Sequence, residues 1–307
     1  MSDVKVALAP EPEGWAVQAV TDGGGRLVGL DEDPDALVWT VGSDWAGLAD
    51  ALAAAPRVRW VQLPFAGVEG VRSTGVLTED RAWTCAKGVY GETVAEHALA
   101  LALAGLRSLP ERARARSWGA QGAATLYDAT VVVVGAGGIT SALMGLLAPF
   151  RCRVVVVRRD GDRPVEGAAR TVGTDRLDEV LPEALVVFLT LALTEETRHV
   201  IGAGQLARMR EDAWLVNVAR GGHVDQDALV EALRDGRIGG AALDVTDPEP
   251  LPDDSPLWQL GRCLVTPHTA NPWATAQGLL ASRVRDNVRR FAAGEPLEGV
   301  VDVAAGY

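Results

Sequence analysis

Cysteine is nearly absent from this chain of 307 residues: Cys85, Cys152 and Cys263 are odd in number, far apart, and form no C-x-x-C pair. That usage excludes a disulfide framework and a cysteine-built zinc site, and it implies a reduced, cytoplasmic setting. Lysine is scarcer still. Lys5 and Lys87 are the only two among 29 basic residues, the rest being arginine, a compositional bias that lowers the weight of any single arginine. Positive charge is short overall, because 41 acidic residues bring the formal charge to −12 and the isoelectric point to about 4.9. Neither nucleic acid nor an anionic membrane rewards net negative charge, so small molecules or proteins are left as partners.

Long apolar runs are missing as well. The first twenty residues carry acidic and proline interruptions where a signal peptide needs a continuous apolar segment, so no export is expected. Ala98–Leu106 is too short to span a bilayer, and Val131–Phe150 is broken by Gly135-Ala136-Gly137-Gly138. That second stretch reads as strand, turn and helix. Low-complexity tracts and solenoid repeats are also lacking. What is present is a chain 48% apolar and long enough for about two domains, each with its own core.

The first third alternates short β-type runs with turns and one helical segment: Val4–Ala9, Arg26–Leu30, Ala36–Thr40, the helix Asp44–Ala55, then Val58–Leu63. A helix from Glu92 to about Leu109 follows, ended by Pro110, and is read as the bridge into a second domain. From Thr130 the pattern is β-α-β, with strands at Thr130–Val134, Arg153–Val157, Leu185–Thr190, Trp214–Val218, Gly240–Val245 and Cys263–Thr266. Continuous Val-rich strands imply burial on both faces, hence a parallel sheet flanked by helices. Those helices are read at Ile139–Pro149, Gly204–Arg210 and Asp225–Arg234, the last starting at an acidic cap and ending at Gly236. A final helix, Ala274–Ala293, stops at Gly294 and is expected to return to the first domain. The expected fold is α/β with two Rossmann-like domains. Residues 96–274 would form a doubly wound dinucleotide-binding domain, and residues 1–95 with 275–307 a smaller flavodoxin-like substrate domain.

Gly135, Gly137 and Gly138 end a strand and open a helix. Gly135 allows the tight turn, and Gly137 lets the backbone approach a pyrophosphate held by the helix N-terminus. Thr140 stands at the usual third glycine, which would set the helix slightly further from its strand. After the second strand an NAD-specific site would show an acidic side chain for the ribose 2′-hydroxyl, but this chain has Arg158 and Arg159. Two guanidiniums there favour the 2′-phosphate of NADP(H) over NAD(H), with Asp160 or Asp162 reaching the ribose as the alternative.

Three segments fall just after successive strands of the second domain, where ligands bind in open α/β sheets: Asn217–Gly222, Leu243–Pro250 and Thr266–Ala270. They bring an arginine, a carboxylate and a histidine. Arg220 would pair with the carboxylate of a 2-keto acid and polarise its carbonyl. His268 would give the proton that accompanies hydride arrival, and Glu249 would hold His268 protonated. His97 reads as a helix-face histidine, and His199 and His223 read as exposed. No metal site is expected.

With these segments in view, the sequence resembles the D-isomer-specific 2-hydroxyacid dehydrogenases. The likeness rests on the glycine turn, Leu193–Thr197, Asn217–Leu233, Ala241–Leu251, Ser255–Trp258 and Val265–Ala270, with looser support from Leu63–Glu69 and Val94–His97. It implies that Arg220, Glu249 and His268 are catalytic and that Asp244 contacts the nicotinamide carboxamide. It further implies that Val218, Ala219 and Ala270 lie at the nicotinamide side, Gly138 and Ile139 at the pyrophosphate, and Leu191 and Thr197 beside the adenosine. In the first domain the loop of Phe65, Ala66 and Gly67 would receive the substrate carboxylate, while Leu63 and Phe65 would line the pocket with apolar surface. Departures are Thr140, Ala192 in place of a proline, and Arg158 in place of aspartate. The implied activity is an NAD(P)H-dependent 2-keto acid reductase, usually a homodimer, acting on a small 2-keto or 2-hydroxy acid. The resemblance also includes dinucleotide-sensing corepressors and phosphite or formate dehydrogenases, which stand as alternatives.

Overall fold

In the computed structural model, which describes residues 4–119, 122–304 and 306, the chain divides into two compact units. Unit 1 is Met1–Tyr90 with Pro272–Tyr307, and unit 2 is Gly91–Asn271. In chain order the first elements are β1 (Lys5–Ala9), α1 (Gly14–Asp22), β2 (Arg26–Leu27), β3 (Ala36–Trp39), α2 (Trp45–Ala54), β4 (Trp60–Gln62), α3 (Glu69–Ser73) and β5 (Ala82–Thr84). Unit 2 holds α4 (Gly91–Leu106), α5 (Leu109–Arg114), β6 (Thr130–Val134), α6 (Gly138–Leu147), β7 (Arg153–Arg158), β8 (Arg170–Gly173) and α7 (Leu177–Val180). It continues through β9 (Val186–Leu189), α8 (Ala203–Arg208), β10 (Trp214–Asn217), α9 (Gln226–Arg234), β11 (Gly240–Leu243) and β12 (Cys263–Val265). The last helix, α10 (Trp273–Ala293), belongs to unit 1.

Unit 1 is a five-stranded parallel sheet in the order β2-β1-β3-β4-β5, the flavodoxin-like winding. One face buries Leu37, Trp39, Leu48, Val61, Leu63 and Trp83; the other buries Val6, Val20, Val38 and Trp60 under Leu280, Val284 and Val288 of α10. Around Thr84 the buried polar groups are paired, whereas the buried Trp39 indole nitrogen has no partner among the described residues. Trp60 Nε1 donates to Thr84 Oγ1 (2.8 Å), Thr84 Oγ1 donates to Gln62 Oε1 (2.8 Å), and Asn287 Nδ2 donates to the same Oε1 (3.0 Å). The Asp44 carboxylate caps α2 by accepting from the Gly47 amide at 2.8 Å, the interaction its position before an apolar helix leads one to expect.

Unit 2 is a seven-stranded parallel sheet ordered β12-β11-β10-β9-β6-β7-β8. Every pairing runs parallel, and β6, β9, β10 and β11 carry mostly or wholly buried residues, which is why they read as unbroken apolar runs. Strand order reverses between β6 and β9, and that switch point is where doubly wound sheets place ligands. Among the described residues no helix is long and apolar enough to cross a membrane, and no cluster of His, Cys, Asp and Glu suits a metal ion.

Three local expectations are corrected. The first third holds more than one helix, because α1 and α3 flank strands where only α2 was expected. Pro110 does not simply end the long helix: α4 stops at Leu106, Ser108 turns the chain at φ +49°, and the proline sits in the first turn of α5, where its missing N–H costs nothing. β8, at the sheet edge, falls where no strand was read.

Candidate active site

In unit 2 the turn after β6 is shaped by Gly135, at φ +124°, where an added Cβ would stand 2.7 Å from Thr190 Oγ1 and 2.9 Å from the Leu191 amide nitrogen. No L side chain fits that approach to the end of β9. Gly137 is the opposite case. It caps α6, a Cβ there would meet nothing within 4 Å, and among the described residues the Ala136 and Gly137 amides donate to no protein acceptor. An open, glycine-lined helix N-terminus with unengaged amides fits a pyrophosphate. Thr140 is buried, and its hydroxyl donates to the Gly135 carbonyl at 2.9 Å while lying 2.9 Å from Thr190 Oγ1, so the residue in the third-glycine position ties helix to turn. Ile139 follows on the same helix, half-buried. Leu191 and Thr197 lie on the loop after β9. The Thr197 hydroxyl donates to Ala192 O (2.8 Å) and accepts from the Thr194 amide (2.8 Å), which folds that loop back on itself. Arg158 ends β7, half-buried, with a long 3.4 Å contact to Arg163 O; Arg159 beside it is exposed, as are Asp160 and Asp162.

β10 ends at Asn217, which is fully buried and folds the next turn from inside: its Oδ1 accepts the Ala219 amide (3.1 Å) and its Nδ2 donates to Arg220 O (2.8 Å). Val218 and Ala219 are thereby buried, and Arg220 emerges half-buried with Nη1 donating to Ala219 O at 2.7 Å. A Cβ on Gly221 would lie 2.0 Å from the Thr246 carbonyl, so glycine is required for the turns after β10 and β11 to meet. His223 corrects the sequence reading. It is fully buried rather than exposed: its Nδ1 lies 3.0 Å from the Arg220 carbonyl oxygen and 3.2 Å from the Arg220 amide nitrogen, and its own carbonyl takes the Ile201 amide at 3.0 Å. His199 is exposed.

β11 delivers Asp244, 2% exposed, as the hub of the next two loops. Its Oδ1 accepts from Thr266 Oγ1 (2.6 Å) and the Thr269 amide (2.9 Å), and its Oδ2 accepts from the Ala270 amide (2.9 Å). His97, from α4, brings Nε2 to 3.3 Å from the same Oδ1 and 3.1 Å from Thr266 Oγ1. Burial pushes the Asp244 carboxyl up, but the bonds from His97, Thr266 and the two amides outweigh it and hold the group down to about 2. Four donors occupy most of a carboxylate's lone pairs, so Asp244 chiefly shapes the loop that follows β12.

That loop presents His268. Its amide donates to Asp244 O at 2.9 Å, its φ is +51°, and its Nδ1 lies 2.5 Å from Glu249 Oε1, both side chains being about half exposed. An ionised carboxylate can only accept, so Nδ1–H donates and Nε2 is the outward nitrogen. A non-glycine residue at positive φ costs of order 1 kcal/mol and is held here by the His268 amide, which donates to the carbonyls of both Asp244 and Thr266. The expected residues of unit 2 therefore collect at the C-terminal edge of one sheet, with Glu249 and His268 in direct contact. Sequence reasoning did not foresee His97 and Thr266 in this network. A lone histidine inside an Ala/Leu helix carries no mark of the aspartate it meets 147 positions later.

In unit 1 the loop after β4 carries Phe65, Ala66 and Gly67. Its carbonyls are engaged, with Phe65 O accepting the Ala86 amide (3.0 Å) and Pro64 O accepting from Tyr90 Oη (2.7 Å). Among the described residues the Ala66 and Gly67 amides donate to no protein acceptor, and Ala66 is exposed. Leu63 is corrected: it is fully buried in the unit 1 core and lines no pocket, whereas Phe65 is 39% exposed.

A parallel sheet with an open glycine turn at its switch point, and a carboxylate–histidine pair on the same edge, is the arrangement of a nucleotide-dependent oxidoreductase. Residues 97–270 match the NAD binding domain of the D-isomer specific 2-hydroxyacid dehydrogenases, and the chain belongs to that family. It is 41% identical over 256 residues to an uncharacterized protein of the proB 3′ region of Corynebacterium melassecola, covering 81% of this chain and 84% of the other. It is 34% identical over 261 residues to a glyoxylate reductase of Korarchaeum cryptofilum, covering 80% and 77%. A D-isomer specific 2-hydroxyacid dehydrogenase from Xanthobacter autotrophicus, solved in complex with NADPH and MES, superposes with a TM-score of 0.86 at 28% identity over the whole of both chains. The chain is thus an NAD(P)-dependent oxidoreductase of the 2-hydroxyacid dehydrogenase type, acting on CH–OH donors.

Proposed function

We propose that this protein reduces small 2-keto acids to D-2-hydroxy acids and prefers NADPH. The observation that carries the reading is the His268–Glu249 pair, 2.5 Å apart, on the C-terminal edge of the sheet that also presents the open turn of Gly135, Gly137, Gly138 and Ile139. When bound, the nicotinamide dinucleotide supplies the hydride. The amides of the glycine turn receive its pyrophosphate, Leu191 and Thr197 wall the adenosine side, and Val218, Ala219 and Ala270 back the nicotinamide side. Asp244 holds the loop that carries Ala270 and offers the remaining capacity of Oδ2 to a carboxamide.

His268 is the general acid. Glu249 fixes Nδ1–H, so the proton given to the keto oxygen is carried on Nε2. Arg220 presents a planar guanidinium that matches a carboxylate through two parallel N–H bonds and polarises the neighbouring carbonyl. Arg158 and Arg159, at the end of β7, supply positive charge where the 2′-phosphate of NADPH lies in this winding, and the NADPH held by the Xanthobacter relative supports that preference.

The test is oxidation of NADPH and of NADH, side by side, with glyoxylate, hydroxypyruvate, pyruvate, phenylpyruvate and 2-ketoisocaproate. Turnover with NADPH favoured several-fold is expected. Turnover with NADH favoured would keep the reductase and discard the role given to the arginines. A wholly inactive panel would sink the proposal and favour a sensor or a formate- or phosphite-type oxidiser.

A further inference from the structure

Unit 1 carries an exposed aromatic cluster at the same sheet edge as the loop after β4. Phe65 follows the C-terminus of β4, Gly42 follows that of β3, Trp15 opens α1 after β1, and Trp273 opens α10. The ring of Phe65 occupies the space a side chain at position 42 would need: a Cβ on Gly42 would lie 1.6 Å from Phe65 Cε2. Phe65 then meets Trp273 edge-on, with centroids 6.1 Å apart at 65°, and Trp273 meets Trp15 at 6.2 Å and 89°. Among the described residues the buried Trp15 indole nitrogen has no hydrogen-bond partner, so ring packing rather than hydrogen bonding holds the cluster.

Two of these rings are left partly open, Phe65 at 39% exposure and Trp273 at 38%, while the other large aromatics of the sheet, Trp39, Trp60 and Trp83, are at most 1% exposed. The open rings adjoin the unengaged amides of Ala66 and Gly67, on a loop whose carbonyls are pinned to Ala86 and Tyr90. One fixed loop therefore offers two N–H donors to an anion, and beside them an apolar, aromatic surface.

We infer that the Phe65–Trp273 surface selects 2-keto acids bearing an aromatic side chain, of the arylpyruvate class, over glyoxylate and hydroxypyruvate. This rests on the reductase reading and concerns the substrate contacts of unit 1 alone. The carboxylate lies on the Ala66 and Gly67 amides, and the aryl ring packs against the edges of Phe65 and Trp273. Glyoxylate has no side chain to cover those rings, and hydroxypyruvate would set a hydroxymethyl group against them without a hydrogen-bond partner. A rigid aromatic wall discriminates by about 10²-fold for a ring-sized apolar group, since a single methylene in an apolar pocket is worth about 10-fold or more.

The experiment compares kcat/KM for phenylpyruvate and glyoxylate in the full-length protein with saturating NADPH or NADH, whichever supports turnover. It uses the wild type, Phe65→Ala and Trp273→Leu, with Phe65→Tyr as a variant that keeps the ring and therefore the fold. Phenylpyruvate is expected to be favoured about 10²-fold, with the ratio falling about 10-fold in Phe65→Ala and Trp273→Leu and staying near wild type in Phe65→Tyr. Glyoxylate favoured by the wild type, or a ratio unmoved by both truncations, would overturn the aromatic assignment and leave the reductase standing. Failure of every keto acid with either nucleotide would overturn both.

Discussion

His97 Nε2 lies 3.3 Å from Asp244 Oδ1, so a helix at the start of unit 2 reaches the aspartate that folds the His268 loop near the end of the same unit. The imidazole adds a donor to a carboxylate already holding the Thr269 and Ala270 amides. Replacing His97 by Leu should cost about 1–2 kcal/mol of stability and speed hydrogen exchange at the Thr269 and Ala270 amides. Turnover should fall about 10-fold, because a small displacement of a general acid is expensive in rate. His97→Gln, which keeps an N–H donor, should recover most of both. Unchanged exchange at those two amides in His97→Leu would remove the positioning role.

The same carboxylate sets an acid limit. Its folded pKa is about 2 against an ordinary 3.8, so its contribution is fully present above pH 3.8 and is lost as pH falls through 2. The shift corresponds to about 2 kcal/mol. Urea denaturation across pH 5 to pH 2 should show the wild type losing that amount relative to Asp244→Asn. The variant itself should start about 2–3 kcal/mol less stable, since its amide nitrogen is a donor and leaves one of the two loop N–H groups, each held by a different carboxylate oxygen, without an acceptor. Parallel curves for the two proteins would contradict the assignment.

His268→Gln should lower kcat by about 10²–10⁴-fold while leaving NADPH binding, followed by fluorescence, close to wild type. Glu249→Gln keeps an acceptor oxygen for Nδ1–H but removes the charge, so a smaller fall of about 10-fold or more is expected. A His268→Gln enzyme with wild-type turnover would take the proton-donor role away from this residue.

How much of this was readable beforehand depends on whether the signal was local. The β6 turn and α6 were legible because the Val run, the glycines and the helix follow one another directly, and the α9 start was legible because Asp225 accepts the Ala228 amide as a cap should. The strand ends carrying Asn217, Asp244 and Thr266 were legible for the same reason. α1 was not: it begins at Gly14 after a run of Pro and Glu with no side-chain cap, so nothing local marks it. β8 is an edge strand of sequence RTVG, too short and polar to read as a buried run. The His97–Asp244 and Phe65–Trp273 contacts join residues far apart in the chain, and such pairs are set by topology rather than by any neighbouring residue.

Asn287 ties α10 to the sheet of unit 1 from within: besides its bond to Gln62, its Nδ2 donates to Glu298 O at 3.0 Å and its Oδ1 accepts the Glu298 amide at 2.8 Å. It is fully buried. Asn287→Leu keeps the volume but strands the Glu298 amide and removes one of Gln62's donors, which should cost about 2–4 kcal/mol. Chemical denaturation should show the loss, and a variant within 0.5 kcal/mol of wild type, roughly the range of a neutral surface change, would show the network to be dispensable.

Nucleotide preference turns on the end of β7. Arg158 is half-buried there and Arg159 exposed, and neither Asp160 nor Asp162 is buried in a way that fixes it toward a ribose. If the guanidiniums hold a 2′-phosphate, the double change Arg158→Ala with Arg159→Ala removes two charge-assisted contacts and should lower kcat/KM for NADPH by about 10²-fold, NADH being much less affected. Arg158→Asp should go further, since a carboxylate repels the phosphate yet accepts from a 2′-hydroxyl, and the preference should reverse toward NADH. The affinity for NADPH should also weaken with added salt more steeply in the wild type than in the double variant, because only the wild type relies on paired charges at a solvent-facing site. Equal salt dependence with an unchanged NADPH to NADH ratio would mean that the arginines are surface residues and that the ribose is read elsewhere.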